Sequence, residues 1–262
     1  MTPKAQSNPT GLRARPSLWL HGAGLNGETW RRMIDDLPRA VAPDLPSHRD
    51  DEPPATSRVE ADAEALLPLL EEGMVVIGHS LGGMVALELA ARSPMPLAAL
   101  VLVEAVPTVR DRWLGRVASR LARPLLKHLP PRRLAWLASL GQSPETRAEI
   151  QRTIAQRSGR QIVGAFDAAR LYDGRQRLEA VSVPTLILVS RDSQATHRGA
   201  RLAADRIDGA SMQSLSGGHL LHIDNPEGLR RAIDAFLCSL PPREGAPGRG
   251  DAGRTSNDRT DA

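Results

Sequence analysis

The hexapeptide Gly78-His79-Ser80-Leu81-Gly82-Gly83 constrains this chain more than any other feature. It follows the apolar run Met74–Ile77 and precedes a helix-like stretch, Met84–Arg92. G-x-S-x-G between a strand and a helix marks a sharp turn that holds its serine in a strained backbone conformation. Gly78 and Gly82 lack the side chains that would collide in such a turn. The serine oxygen then projects above a sheet at a helix N-terminus, where the helix dipole favours developing negative charge. The bland alternative is a glycine-rich strand-to-helix turn without chemistry.

The rest of the chain agrees with that setting. Short apolar runs at 18–20, 40–42, 74–77, 99–103, 185–189 and 211–215 lack strict alternation, as strands buried on both faces do. Between them, 56–72, 81–92, 197–207 and 226–239 read as helices; Val59, Ala63, Leu66, Leu67 and Leu70 recur at helical spacing. Alternating β and α predicts an α/β fold: a mostly parallel central sheet with helices on both faces. One block breaks the alternation. Residues 108–177 hold no strand-like run and read as three or four helices, about 110–128, 131–140, 145–157 and 160–171, with breaks at Pro130-Pro131, Gly141 with Pro144, and Gly159. Strands flank this block, so it is an all-helical insertion.

Charge marks the same boundaries. The chain has 34 Lys and Arg against 30 Asp and Glu, a formal net of +4. Residues 108–177 hold 15 basic and 5 acidic residues, a net of +10; the remaining 192 residues carry −6. This excludes a uniformly basic nucleic-acid coat. Only Lys4 and Lys127 are lysines, so the surplus of arginine sets the high isoelectric point. The predicted organisation is a disordered tail at 1–15, a core at 16–107 and 178–240, the basic helical insertion at 108–177, and a disordered tail at 241–262. Gly11–Arg15 is a candidate for a short edge strand. Cys238, the single cysteine, excludes an internal disulfide and offers no metal-site spacing. Residues 1–15 contain no apolar core, and no run reaches about 18 apolar residues. Neither a signal peptide nor a transmembrane helix is expected, and the cytoplasm is the expected compartment.

A serine needs a base to take its proton and a third group to orient that base. His219 follows Ser216-Gly217-Gly218 at the end of the last strand, on the sheet edge that carries Ser80. It is the predicted base; His222 and His48 read as structural. Asp192 lies two residues beyond the run Thr185–Val189 and is the predicted acid. Glu104, directly after Leu100–Val103, is the alternative acid. Backbone amides must hold the developing oxyanion. Leu81, the residue after the serine, supplies one. Ala23, in the loop His21-Gly22-Ala23-Gly24, is the choice for the second, with Gly24 behind it.

The ordered set LHGAG, APDLPSH, GHSLGG, PTLILVSRD and GGHLLHIDNPEGL resembles the α/β-hydrolase superfamily over about residues 17–240. The resemblance implies Ser80 as nucleophile, His219 as base, Asp192 as acid, and the helical insertion as a cap over the pocket. It implies no metal and no cofactor. The chain departs from the family in three places. About 15 residues precede the first core strand, so the usual antiparallel strands at the sheet's start are expected to be missing or vestigial. Val189-Ser190-Arg191 lacks the usual glycine before the acid loop. Ser47 and Arg49 replace glycines after the second strand.

The expected activity is that of a serine hydrolase cleaving a carboxylic ester, lactone or thioester through an acyl-enzyme. The alternatives are carbon–carbon bond hydrolysis, a cofactor-free perhydrolase or haloperoxidase, and a non-catalytic ligand-binding or partner-binding protein. The expected partner is a small acyl substrate, not nucleic acid; the oligomeric state is open. Trp113, Val117, Leu121 and Leu125 make the first inserted helix amphipathic. Three readings of the insertion's arginines stand: a solvated face, selection of an anionic acyl or leaving group, and peripheral docking on an anionic membrane or partner.

Overall fold

The computed structural model describes residues 11–48, 58–109 and 129–241. The predicted helix at 110–128 and most of both predicted tails lie outside these residues. Six strands, β1 (Ser17–Leu20), β2 (Ala40–Val41), β3 (Val75–His79), β4 (Ala99–Val103), β5 (Thr185–Ser190) and β6 (Ser211–Leu215), form one sheet in the order β2-β1-β3-β4-β5-β6. Every pairing is parallel. The helices of eight or more residues are α1 (Val59–Leu66), α2 (Leu81–Arg92), α3 (Pro131–Ala138), α4 (Pro144–Ile154), α5 (Gly159–Leu171), α6 (His197–Arg206) and α7 (Pro226–Ser239).

The central runs β1, β3, β4 and β5 are strands buried along their whole length because both faces of the sheet are covered there, whereas the edge strands β2 and β6 are partly exposed. Successive residues along a strand point to opposite faces. Leu18, Leu20, Val76, Leu100, Leu102 and Ile187 pack with α1, α2 and α6 on one side. Trp19, Val75, Ile77, Val101, Val103 and Leu186 pack with Met33 and α7 on the other. A strand buried on both faces has no polar side to show as alternation.

Two expectations are corrected here. Residues 11–14 are neither tail nor edge strand. They form a 3₁₀ turn in which Leu12 is fully buried and its N–H donates to Asp234 Oδ1 of α7 at 2.9 Å. One leucine with a hydrophobic slot and a bonded amide is enough to dock the segment. The helix expected over 56–72 is, among its described residues, α over Val59–Leu66 and continues as a 3₁₀ turn over Leu67–Leu69. Pro68 lacks the N–H that another α turn would use.

Helices α3, α4 and α5 all lie between β4 and β5 in sequence. The ends of this insertion meet: Thr108 bridges Asp173, Thr108 Oγ1 donates to the Tyr172 carbonyl at 3.1 Å, and Gly174 N–H donates to the Pro107 carbonyl at 2.8 Å. Its helices pack through Leu134, Ile150, Ile154 and Ile162 onto Leu25 and Leu220, in the loops that follow β1 and β6. In a parallel sheet these loops belong to the C-terminal edge, where sites form.

Candidate active site

The site is built on that edge. Ser80 stands between β3 and α2 with φ 51° and ψ −114°, a conformation side chains rarely adopt. Its N–H donates to the Val103 carbonyl at 3.0 Å, and its carbonyl accepts from Gly83 and Met84 N–H at 3.0 and 3.2 Å. A Cβ at Gly78 would lie 2.3 Å from the Gly82 carbonyl oxygen, and a Cβ at Gly82 would lie 2.3 Å from the Leu20 carbonyl oxygen. Backbone fills the space on both sides, so glycine is required at both positions.

The loop after β1 passes directly over the serine: a Cβ at Gly22 would sit 3.4 Å from Ser80 Cβ. Two buried histidines shape this loop. His21 Nδ1–H donates to the Gly22 carbonyl at 2.9 Å, while its Nε2 accepts Leu45 N–H at 3.0 Å. Burial pushes the His21 pKa down to about 4, which keeps the ring neutral and Nε2 free to accept. His48 Nε2 accepts Gly24 N–H at 3.0 Å, and burial holds this ring well below its usual range too. The Gly24 amide is thus occupied. The Ala23 amide has no hydrogen-bond partner among the described residues. Leu81, as the first residue of α2, offers an amide that no preceding helical turn can accept.

His219 lies in the loop between β6 and the single turn Leu221–Asp224. Its Nδ1 donates to Glu104 Oε2 at 2.9 Å. Its backbone carbonyl accepts His79 Nε2–H at 2.9 Å, and the rings of His79 and His219 are 4.9 Å apart. His79 immediately precedes Ser80, so this bond ties the histidine loop to the elbow. Glu104 follows β4 at φ 49°, and its side chain is fully buried. Its other oxygen, Oε1, accepts from Ser190 N–H and from Thr196 Oγ1, the latter at 3.1 Å. A buried carboxylate costs much free energy unless its lone pairs are satisfied, and here three donors satisfy them.

Asp192 stands elsewhere. It is exposed, and its Oδ2 accepts Gly217 N–H at 3.0 Å. Ser190 Oγ donates to the Gly217 carbonyl. Residues 190 and 192 therefore hold the histidine loop by its backbone, and Glu104 meets the imidazole. The reason is strand order. Glu104 directly follows β4, the neighbour of β3, whereas Asp192 lies beyond β5, one strand farther from Ser80. The longer side chain of Glu104 also reaches His219.

Two residues important to this geometry escaped the sequence reading. Asp44, after β2, accepts Gly27 N–H at 2.8 Å and Arg157 Nη2–H at 3.0 Å. Asp224 accepts Gly218 N–H at 2.8 Å. Each carried a legible signal: Asp44 sits at a strand end, and Asp224 five residues after His219. His222 Nε2 bonds Thr29 Oγ1 at 2.9 Å, and its ring stacks on Trp30 at 4.5 Å. No group of three or more His, Cys, Asp or Glu arranged to hold a metal occurs among the described residues. Among them, no helix is long and apolar enough to cross a membrane.

The family described as the alpha/beta hydrolase family matches residues 18–232. A pimeloyl-[acyl-carrier protein] methyl ester esterase of Aromatoleum aromaticum is 44% identical over 97 residues, 36% of this chain and 38% of that protein. The chain spans about two fifths of the length of the first curated relatives it matches. The magnesium-chelatase 30 kDa subunit of Rhodobacter capsulatus is 28% identical over 255 residues, 84% of this chain and 86% of that one. Among solved structures, a malate-bound thermophilic esterase from Thermogutta terrifontis superposes with a TM-score of 0.73 at 25% identity, covering 87% of this chain and 90% of that chain.

Proposed function

We propose that this chain, which belongs to the alpha/beta hydrolase family, is a carboxylic ester hydrolase with Ser80 as nucleophile, His219 as base and Glu104 as the acid that orients the base. The observation that carries this reading is the 2.9 Å bond from His219 Nδ1 to a fully buried Glu104, in a loop tied to His79, the residue before a serine held at φ 51°. With Nδ1–H committed to the carboxylate, Nε2 is the nitrogen left to accept a proton. The esterase relative supports the same reaction class.

Ser80 Oγ attacks the ester carbonyl carbon as its proton passes to His219 Nε2. The carbonyl electrons move to oxygen, which the Leu81 and Ala23 amides hold. The tetrahedral species collapses, the carbon–oxygen bond to the alcohol breaks, and His219 returns the proton to the leaving alkoxide. A water then gives a proton to His219 and attacks the acyl carbon. Loss of Ser80 Oγ, reprotonated by His219, releases the carboxylic acid. Glu104 keeps its hydrogen bond to His219 Nδ1 throughout and stabilises the imidazolium.

Helices α3 to α5 are assigned as the cap, and the substrate as a small acyl molecule. Of the insertion's arginines, Arg152 pairs with Glu28 and Glu149, Arg157 with Asp44, Arg170 with Asp167, Arg175 with Asp173 and Arg177 with Glu88. These five brace the fold, which weighs against their selecting an anionic substrate.

A fluorophosphonate probe tests the assignment. The wild-type protein is expected to label at Ser80 and to hydrolyse p-nitrophenyl acetate, and Ser80→Ala to do neither. A folded wild-type chain that stays unlabelled, while a control hydrolase labels, would overturn it.

A further inference from the structure

We propose that Asp224 is a positioning residue that couples helix α4 of the insertion to His219, so that insertion and base keep one register. This rests on the assignment of His219 as base. The loop Ser216-Gly217-Gly218 has little stiffness of its own, and Gly217 stands at φ +127°. It must be held from outside. Ser190 and Asp192 hold Gly217 from the body of the fold. Asp224 holds Gly218, the residue next to His219, with Oδ2 accepting its N–H at 2.8 Å. A Cβ at Gly218 would lie 2.8 Å from that same oxygen, so a side chain there would push the carboxylate off its bond.

The other oxygen of Asp224 faces the insertion. Oδ1 accepts hydrogen bonds from Ser143 Oγ and from Thr146 Oγ1, the latter at 2.8 Å. Ser143 is the N-cap of α4 and also accepts Thr146 N–H at 3.1 Å. The carboxylate therefore sits at the positive end of an 11-residue helix, where its charge is stabilised. Thr146 is fully buried, which keeps water from competing for the bond.

The far end of α4 meets the opposite half of the site. Ile154, its last residue, lies 3.1 Å from where a Gly24 Cβ would be, beside the Ala23 amide. Three residues on, Arg157 donates to the Leu25 carbonyl at 3.1 Å and to Asp44. One rigid helix thus joins the base loop to the oxyanion loop, with Asp224 as the joint at the histidine end. Disturbing that joint shifts His219 relative to a developing oxyanion whose donors stay put.

The test compares Asp224→Asn, the double variant Ser143→Ala/Thr146→Val, and their combination. The readouts are kcat and KM for p-nitrophenyl acetate and the rate of fluorophosphonate labelling. Both single-sided variants should lower kcat and labelling about 10- to 100-fold, the size expected for a misplaced catalytic group, with KM within about threefold. The combined variant should be no slower than Asp224→Asn, because all of them break one linkage. Thr146→Ser, which keeps the hydroxyl that bonds Asp224, should retain most of the wild-type kcat and labelling. If Asp224→Asn fails to fold, the Ser143/Thr146 variants test the same joint from the insertion side. Unchanged kcat and labelling, or losses that multiply in the combined variant, would overturn the proposal. A wild-type protein that neither labels nor turns over would instead overturn the hydrolase assignment.

Discussion

His219 Nδ1 and Glu104 Oε2 are joined by a 2.9 Å hydrogen bond across 115 residues of sequence. The donor is one-third exposed and the acceptor fully buried. The pair thus has one face in the site and one in the core, which is how a carboxylate orients an imidazole without competing for its reactive nitrogen. Ser190 and Thr196 hold the second oxygen of Glu104.

That relationship predicts the outcome of two isosteric substitutions. Glu104→Gln should cut kcat for ester hydrolysis about 10³- to 10⁴-fold, the loss expected when an imidazole is left in the wrong tautomer. Asp192→Asn, which keeps the shape of the Gly217 contact, should stay within about threefold. Steady-state kinetics on one ester decides between them. Reversed sensitivities would return the acid's role to Asp192.

Acidification should destabilise the fold through its buried histidines. Desolvation holds His48 and His79 well below their usual range and pushes His21 and His222 to about 4 and 3. The native rings stay neutral while the unfolded chain takes up protons below 6.5, the ordinary value. Stability is therefore complete above that pH and falls as pH drops toward the native values. Each ring removes about 1 kcal/mol per pH unit in that window. Urea midpoints should hold nearly level from pH 7.5 to about 6.5 and decrease from there to pH 5. A flat profile would show that these rings titrate as they do in water.

Gly82→Ala should be among the most damaging single changes. Its methyl group would lie 2.3 Å from the Leu20 oxygen and 2.5 Å from that of His21, both backbone atoms that cannot swing away. A loss of about 3 kcal/mol is expected. Gly141→Ala is the contrast: a Cβ there meets nothing within 4 Å, so only its φ of +75° opposes the change. Thermal melts of the two variants should separate them clearly, and equal melting temperatures would refute the backbone-contact argument.

Arg157→Met should loosen the insertion without abolishing the fold. The Arg157 side chain is 9% exposed, and its guanidinium donates to two carbonyls, those of His48 and Leu25, and to Asp44. Removing it leaves these acceptors short of a donor, at about 2 kcal/mol. Limited proteolysis should then cut within residues 108–177 faster than in wild type, while the core resists. An unchanged cleavage rate would show that the apolar contacts alone hold these helices.

What was legible in the sequence is whatever short-range sterics and periodicity decide. The four central strands β1, β3, β4 and β5 were readable because each is a short, mostly apolar run buried along its whole length. The elbow was readable because Gly78, Ser80 and Gly82 meet a requirement that lies within five residues. His219 was readable because a glycine pair precedes it at a strand end. The docking of Leu12 against Asp234 was not, since it joins the two ends of the chain. Asp192 and Glu104 posed the same difficulty. Both follow an apolar run, both carry a carboxylate, and both precede His219, so local pattern treats them alike.

The amino-acid sequence by itself determined the layered α/β plan, the site of the insertion, the strained Ser80 and the histidine opposite it. Only the tertiary structure decided which carboxylate meets that histidine. Strand order places β4 directly beside β3, and the Ser190 and Thr196 donors exist around Glu104 only once β5 and α6 are packed against it. The same holds for Asp224, which becomes a joint only when a helix begun some 80 residues earlier brings Ser143 and Thr146 to its second oxygen. A carboxylate's partners are set by which distant segments fold beside it, and no spacing along the chain encodes that.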